Sequence, residues 1–254
     1  MPYPVLKGKH LEKAVFSVED FVRYAKRHKR FPKQKLPESA ILVYQRSLLH
    51  SILSANKVQK INLVYRNFYS ISKTKGKVGV IGDFGIGAPV SALLVEEMIG
   101  LGIKRFVIIG TAGSISPKVH HADIVVCSKS IRDEGTSHHY VAPGKYAYPS
   151  KILTDKIKSG LESKFLYGPS WTIDAPYRET IRELVTYRGE GVLAVEMEAS
   201  AVFTVATLRK VESAAVFAIS DVLSETGWRP GFAAKTLERK LYSIFEQVTK
   251  ILCN

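Results

Sequence analysis

Apolar and polar positions follow two different periods along this chain, and the switches between them outline the elements. Short runs that are apolar throughout recur at Ala40-Ile-Leu-Val-Tyr44, Val78-Gly-Val-Ile81, Phe106-Val-Ile-Ile109, Ile124-Val-Val-Cys127 and Ala214-Ala-Val-Phe-Ala-Ile219. Runs of this length, bounded by glycine or polar residues, predict strands buried on both faces. Residues 61–72 suit one or two more strands. Helical spacing takes over elsewhere. Val90, Leu93, Leu94, Ile99 and Leu101 predict a helix from Pro89 to about Leu101 with those residues on its buried side. Leu237, Leu241, Ile244, Phe245, Val248 and Ile251 predict a last helix from about Ala233 to Leu252. Ser17-Val-Glu-Asp20 resembles a capping box with Asp in place of Glu or Gln, opening a helix to about His28. Further helices are expected over Arg46–Leu53 and residues 151–163, and Trp171–Thr180 reads as a loop.

Residues 78–113 read as strand, glycine loop, helix, strand, glycine loop, which is a βαβ unit. The loops are Gly82-Asp-Phe-Gly-Ile-Gly-Ala-Pro89 and Gly110-Thr-Ala-Gly113. Both are expected at strand carboxyl ends, where open α/β sheets bind ligands. The glycines do not form G-x-G-x-x-G followed by an acid, and no Walker lysine follows them. Dinucleotide and P-loop chemistry are therefore unsupported. No repeat or flexible linker divides the chain, so a single α/β domain is expected over residues 1–254.

The most informative stretch is Gly191-Val-Leu-Ala-Val-Glu-Met-Glu-Ala-Ser-Ala-Val-Phe-Thr-Val-Ala206. It sets Glu196 and Glu198 inside an apolar run, at an expected strand-to-helix junction. A buried carboxylate costs several kcal/mol unless it is partnered or protonated. A third carboxylate, Asp221, closes the expected strand at Ser220-Asp221. Arg132-Asp-Glu-Gly-Thr-Ser-His-His-Tyr140 is a loop denser in functional groups than turn chemistry requires. Adjacent histidines on a strand point opposite ways and no third ligand is evident, so no metal is expected.

Composition adds limits. The chain has 254 residues, 46% of them hydrophobic, enough for a substantial core. No run approaches the ~20 apolar residues of a membrane span. The stretch Met1–Lys7 has no leader-like apolar segment, and the two cysteines, Cys127 and Cys253, suggest no disulfide framework. A cytoplasmic protein without membrane contact is expected. The net charge of +14 is concentrated in residues 1–80, which hold seventeen Lys and Arg against four acids. No aromatic residues interleave with these cations at a stacking spacing, so a solvated basic face is expected rather than a nucleic-acid site.

Five motifs together resemble the nucleoside phosphorylase family of the purine and uridine type: Gly85-Ile-Gly-x-Pro89, Gly110-Thr-x-Gly113, Arg132-x-x-Gly-x-Ser-x-His139, Val195-Glu-Met-Glu-Ala199 and Ser220-Asp221. The resemblance spans about residues 40–225, with the basic residues 1–40 an addition to the core. It implies an α/β/α sandwich around a mixed, partly barrel-like sheet. It also implies homo-oligomers, as dimers or trimers of dimers. The implied reaction breaks the C1′–N bond of a nucleoside through an oxocarbenium-like state, with inorganic phosphate as co-substrate and no cofactor. By the family pattern, Glu198 accepts hydrogen bonds from the 2′- and 3′-hydroxyls, and Met197 packs on the sugar. Gly110 and Thr111 hold phosphate, helped by backbone N–H groups of their loop. Arg66, in Tyr-Arg-x-Phe68, reaches a neighbouring subunit's phosphate site. Asp221 protonates a purine at N7, and Tyr177, Arg178 and His139 are candidates for the base. Glu196 then falls to a structural role.

The sequence departs from that pattern in three places. A Gly-Asp-Pro-x-x-Arg phosphate loop is missing, leaving Arg46 in Val43-Tyr-Gln-Arg46 as a candidate replacement. Ile108 stands where an arginine usually precedes the Gly-Thr pair, and the N-terminal histidine has no clear counterpart. Ser220-Asp221 points to a purine nucleoside, while the Arg132–Tyr140 motif is closer to the uridine enzymes. Hydrolysis in place of phosphorolysis, and a non-catalytic nucleotide- or RNA-binding role suggested by the basic first third, complete the alternatives.

Overall fold

The computed structural model describes residue 4, residues 6–64 and residues 66–254. Most of Met1–Val5 and Tyr65, the first residue of the Tyr-Arg-x-Phe motif, lie outside them. In chain order the elements begin with α1 (Val18–Arg27) and β1 (Ser39–Val43), then α2 (Arg46–Ala55), β2 (Val58–Asn62) and β3 (Asn67–Ile71). Next come β4 (Val78–Gly82), α3 (Ala88–Gly100), β5 (Arg105–Ser114), β6 (Ile124–Asp133) and β7 (Tyr146–Ala147). The remainder is α4 (Lys151–Gly160), β8 (Leu166–Ile173), α5 (Ile181–Gly189), β9 (Ala194–Glu196), α6 (Ala199–Leu208), β10 (Glu212–Ser224), β11 (Gly227–Pro230) and α7 (Lys235–Cys253).

Among the described residues, all eleven strands join one mixed sheet. Part of it closes on itself, since β5 pairs β10, β10 pairs β6, β6 pairs β8, β8 pairs β9 and β9 returns to β5. The rest opens outward from β5 through β1, β4, β3 and β2. Alternation along each strand sends side chains to two faces. Ala40, Leu42, Phe106, Ile108, Ala215 and Phe217 pack with α3 and α6 on one side. Ile41, Val43, Val107, Ile109, Ala214 and Val216 pack with α2, α4 and α7 on the other. The result is an α/β/α sandwich around a partly barrel-like sheet.

Local signals worked as the residues suggest. The Ser17 box is complete, with the Ser17 hydroxyl accepting from the Asp20 N–H and the Asp20 carboxylate accepting from the Ser17 N–H. Pro89 stands in the first turn of α3. The N-terminal α1 seats on the end of α3, where a Cβ on Gly100 would stand 2.9 Å from Val22.

Several expectations are corrected. Gly110-Thr-Ala-Gly113 is not a loop but the second half of β5. Glycine is needed at 113 because neighbouring strands crowd it: a Cβ there would meet Leu223 at 2.6 Å and Asp221 at 3.1 Å. β10 likewise runs past Ser220-Asp221 to Ser224, with an irregularity in register between Ile219 and Asp221. Trp171-Thr-Ile173 belongs to β8 rather than to a loop, and Arg132 and Asp133 belong to β6. The surface helix over residues 151–163 ends at Gly160. Leu93 is 52% exposed, while Ala92, Leu94, Val95 and Met98 carry the buried side of α3. Among the described residues no helix is long and apolar enough to cross a membrane.

Candidate functional site

The site forms where β5 changes partners. Its first half pairs β1 up to Val43 and Ile109. Its last two residues, Gly113 and Ser114, pair β9 instead. Between them Gly110, Thr111 and Ala112 have no strand partner on that edge, and all three line a cleft of about 640 Å³. The ends of β1 and β9, the start of α6, β10, β11 and the turn before α5 contribute to its wall, so ligand-facing groups converge from several elements at a switch in sheet order.

Glu196 and Glu198 lie side by side yet differ in every contact. Glu196 is 5% exposed and accepts five hydrogen bonds. Its Oε1 takes the hydroxyls of Thr172 at 2.6 Å, Ser170 at 3.0 Å and Ser130 at 3.2 Å. Its Oε2 takes the N–H groups of Glu198 and Ala199, both at 2.7 Å, at the start of α6. Burial raises its carboxyl above the ordinary value, and these donors, Thr172 most of all, offset part of that rise. Glu198 is 7% exposed and its Oε1 accepts from the Gly87 N–H at 2.7 Å. Burial first, and the charge of Glu196 second, push it to about 8. Gly87 holds φ at +98°, a region favouring glycine, and this conformation aims its N–H at Glu198.

Facing Glu198 are residues that the sequence did not single out. Gln45 Nε2 donates to Thr111 Oγ1 at 2.9 Å, and its own Oε1 is buried without a partner. Tyr44, hydrogen-bonded to Ser91 at 2.8 Å and edge-on to Phe84, lines the same wall. Its phenol is raised well above the ordinary value by burial and then by Glu198. Their position at the end of β1 was the only available signal.

On the opposite side Asp221 is 7% exposed and accepts one hydrogen bond at each oxygen. Ser220 Oγ donates to Oδ1 at 2.6 Å and Trp228 Nε1 donates to Oδ2 at 2.8 Å. Glu179, also missed in the sequence, lines this side beside it. Tyr177, wholly exposed, and the half-exposed Trp228 and Phe232 rim the mouth with aromatic surface.

Of the residues expected at the site, the cleft gathers Gly110, Thr111, Met197, Glu198, Asp221 and Tyr177. Arg46, Arg66, Arg178 and His139 do not line it. Arg46 is exposed and donates through Nε to Asp83 at 2.6 Å. Arg66 lies near Glu97 of α3, with Nη1 buried and without a hydrogen-bond partner. Arg178 is exposed on the turn before α5. His139 sits 2.6 Å from Lys9 Nζ and borders a neighbouring hollow with Glu96 and Tyr140. Burial and the Lys9 charge hold its imidazole below the usual range. The dense Arg132–Tyr140 segment is largely a brace: Arg132 donates to Ser137 Oγ and to the carbonyls of Ala142 and Gly144, while Glu134 accepts from the Ser137 N–H and the Ser200 hydroxyl. No lysine, arginine or histidine lines the main cleft among the described residues. Nor do the described residues hold three or more His, Cys, Asp or Glu side chains grouped to bind a metal ion.

Comparison with known proteins fits this geometry. The chain is 27% identical to guanosine phosphorylase of Halorubrum lacusprofundi over 173 residues, covering 67% of this chain and 72% of that protein. It is 30% identical to uridine phosphorylase of Treponema pallidum over 149 residues, covering 53% and 58%. The fold is shared with a crystal structure of uridine phosphorylase from Vibrio fischeri ES114, with a TM-score of 0.72 at 22% identity over 86% of this chain and 92% of that one. The sequence model of the phosphorylase superfamily matches residues 43–250, and the chain belongs to that superfamily.

Proposed function

We propose that this protein is a nucleoside phosphorylase that splits a purine nucleoside with inorganic phosphate into free base and ribose 1-phosphate. The observation that carries the reading is the polarity of the cleft: Glu198 on one wall beside the open edge of Gly110 and Thr111, Asp221 and the aromatic rim on the other. Glu198 keeps acceptor capacity beyond its bond to Gly87, which suits a sugar diol and stabilises positive charge developing at C1′. Met197 packs on the sugar, and Thr111 faces the phosphate. The base lies between Asp221 and the aromatic mouth. Exposed Arg178 supplies no uracil reader, so the purine assignment is preferred over uridine.

Phosphate needs positive charge, and the cleft lining of one chain has none among the described residues. Arg46 stands at the neighbouring strand ends and can exchange Asp83 for the anion. Arg66 of a second copy supplies the other cation, in a homo-oligomer. The absence of a lining cation is also the observation that favours a second reading, hydrolysis by water. Inosine, guanosine, adenosine and uridine, each incubated with and without phosphate, separate these readings. Ribose 1-phosphate that forms only with phosphate, fastest from a purine, is expected. Free ribose formed without phosphate would establish hydrolysis, and uridine outpacing every purine would overturn the base assignment.

A further inference from the structure

We propose that Glu179, rather than Asp221, is the general acid that delivers a proton to the departing base. This rests on the nucleoside phosphorylase reading above and identifies a catalytic residue within the same site. A donor to the leaving base must face the cleft, carry a proton and be free to move it. Asp221 meets the first condition but its two oxygens are both occupied as acceptors, by Ser220 Oγ and Trp228 Nε1. These two bonds tie the Asp221 side chain to β10 and β11, so it is not free to swing onto the base. Glu179 meets all three conditions. It lines the cleft and is half-buried, and its carboxyl group has no hydrogen-bond or ion-pair partner among the described residues. It follows the short turn Pro176–Arg178 and precedes Thr180, the capped start of α5, so its backbone is fixed while its side chain is not.

The charges around it keep the proton in place. Burial is the main cause, then the carboxylate of Asp221 on β10, then Glu183 on α5, and together they push Glu179 to about 7. Glu196 and Glu198 line the far wall, and among the described residues no cation lining the cleft opposes them. Arg178, its neighbour in sequence, is exposed and outside the lining. A carboxyl group titrating near the working pH is suited to proton transfer.

The step balances without a further reagent. The electron pair of the C1′–N bond moves onto the base as a phosphate oxygen bonds to C1′. The Glu179 proton goes to the base nitrogen that gains density, N7 of a purine. Glu179 is left ionised and regains a proton from water at the open mouth once the base has gone. Asp221 stays a fixed acceptor, holding a base N–H and keeping Glu179 protonated.

The test compares inosine with 7-methylguanosine, whose cationic imidazolium ring leaves without being protonated. With phosphate present, Glu179→Gln is expected to lower kcat for inosine about 100-fold, the scale of general acid catalysis. It should also abolish the fall in rate above about pH 7 that is expected of the unaltered protein. The rate with 7-methylguanosine should stay within about twofold of wild type on the same reasoning, and that turnover shows the variant is folded. Equal losses on both substrates, or an unchanged inosine rate with its pH limb intact, would overturn the proposal while leaving the phosphorylase reading standing. Wild-type protein that cleaves neither nucleoside would overturn the reading and the proposal with it.

Discussion

Replacing Glu198 by glutamine is expected to lower phosphorolysis about 1000-fold while raising the melting temperature at pH 8. Both effects come from one arrangement. The carboxyl group is buried, meets the Gly87 N–H and faces a second carboxylate, Glu196, two residues away. A negative charge there is costly without a ligand and useful with one. It gains sugar hydroxyls as donors and an emerging cation as counter-charge. Loss of such a pre-placed group costs roughly 10²–10³ in rate, about 3–4 kcal/mol. The stability effect has a definite sign. The folded-state value, about 8, lies above the ordinary 4.5. The contribution of Glu198 to stability is therefore complete below about pH 4.5 and is lost as the pH rises through about 8. Glutamine keeps an oxygen for Gly87 and carries no charge. Its advantage should be several degrees at pH 8, given roughly 2–4 °C per kcal/mol for a protein of this size, and should vanish near pH 5. Thermal melts across that range, beside initial rates, measure both. A variant with full activity, or one less stable than wild type at pH 8, would contradict the assignment.

The same change at Glu196 should do the reverse. Glu196→Gln is expected to lower the melting temperature by about 5–10 °C at pH 7, from a loss of about 2–3 kcal/mol. Five donors converge on this carboxylate, from β6, β8 and the first turn of α6. An amide keeps one oxygen and turns an NH₂ group toward whichever set the oxygen leaves. Bonds to charged acceptors are worth about 1.5–3 kcal/mol, more than their neutral replacements. Melting curves of both variants in one buffer provide the contrast. Equal stability changes in the two would show that the glutamates are not divided into one that holds the fold and one that serves the ligand.

The sequence made the frame of this division readable and left the partners obscure. Apolar strand runs, the Pro89 helix start and the Ser17 cap are local signals, and the structure follows them. The two-carboxylate stretch stood out because charge in an apolar run is costly wherever it folds. Gly110–Gly113 misled, because glycine also marks a strand crowded by its neighbours, and only the closing of β5 against β9 and β10 supplies the crowding. The Arg132–Tyr140 segment looked chemical because its polar groups satisfy one another only after folding. Gln45 and Glu179 stayed hidden for the same reason. Each is an ordinary polar residue beside a turn or strand end until tertiary structure turns it into the cleft.

A crystal structure with ribose 1-phosphate bound tests the assignment of Glu198 most directly. The expected complex has the Glu198 carboxylate within hydrogen-bond distance of both the 2′- and 3′-hydroxyls and the phosphate against Gly110 and Thr111. Ribose 1-phosphate seated elsewhere, for example in the hollow beside His139, with Glu198 touching neither hydroxyl, would contradict it.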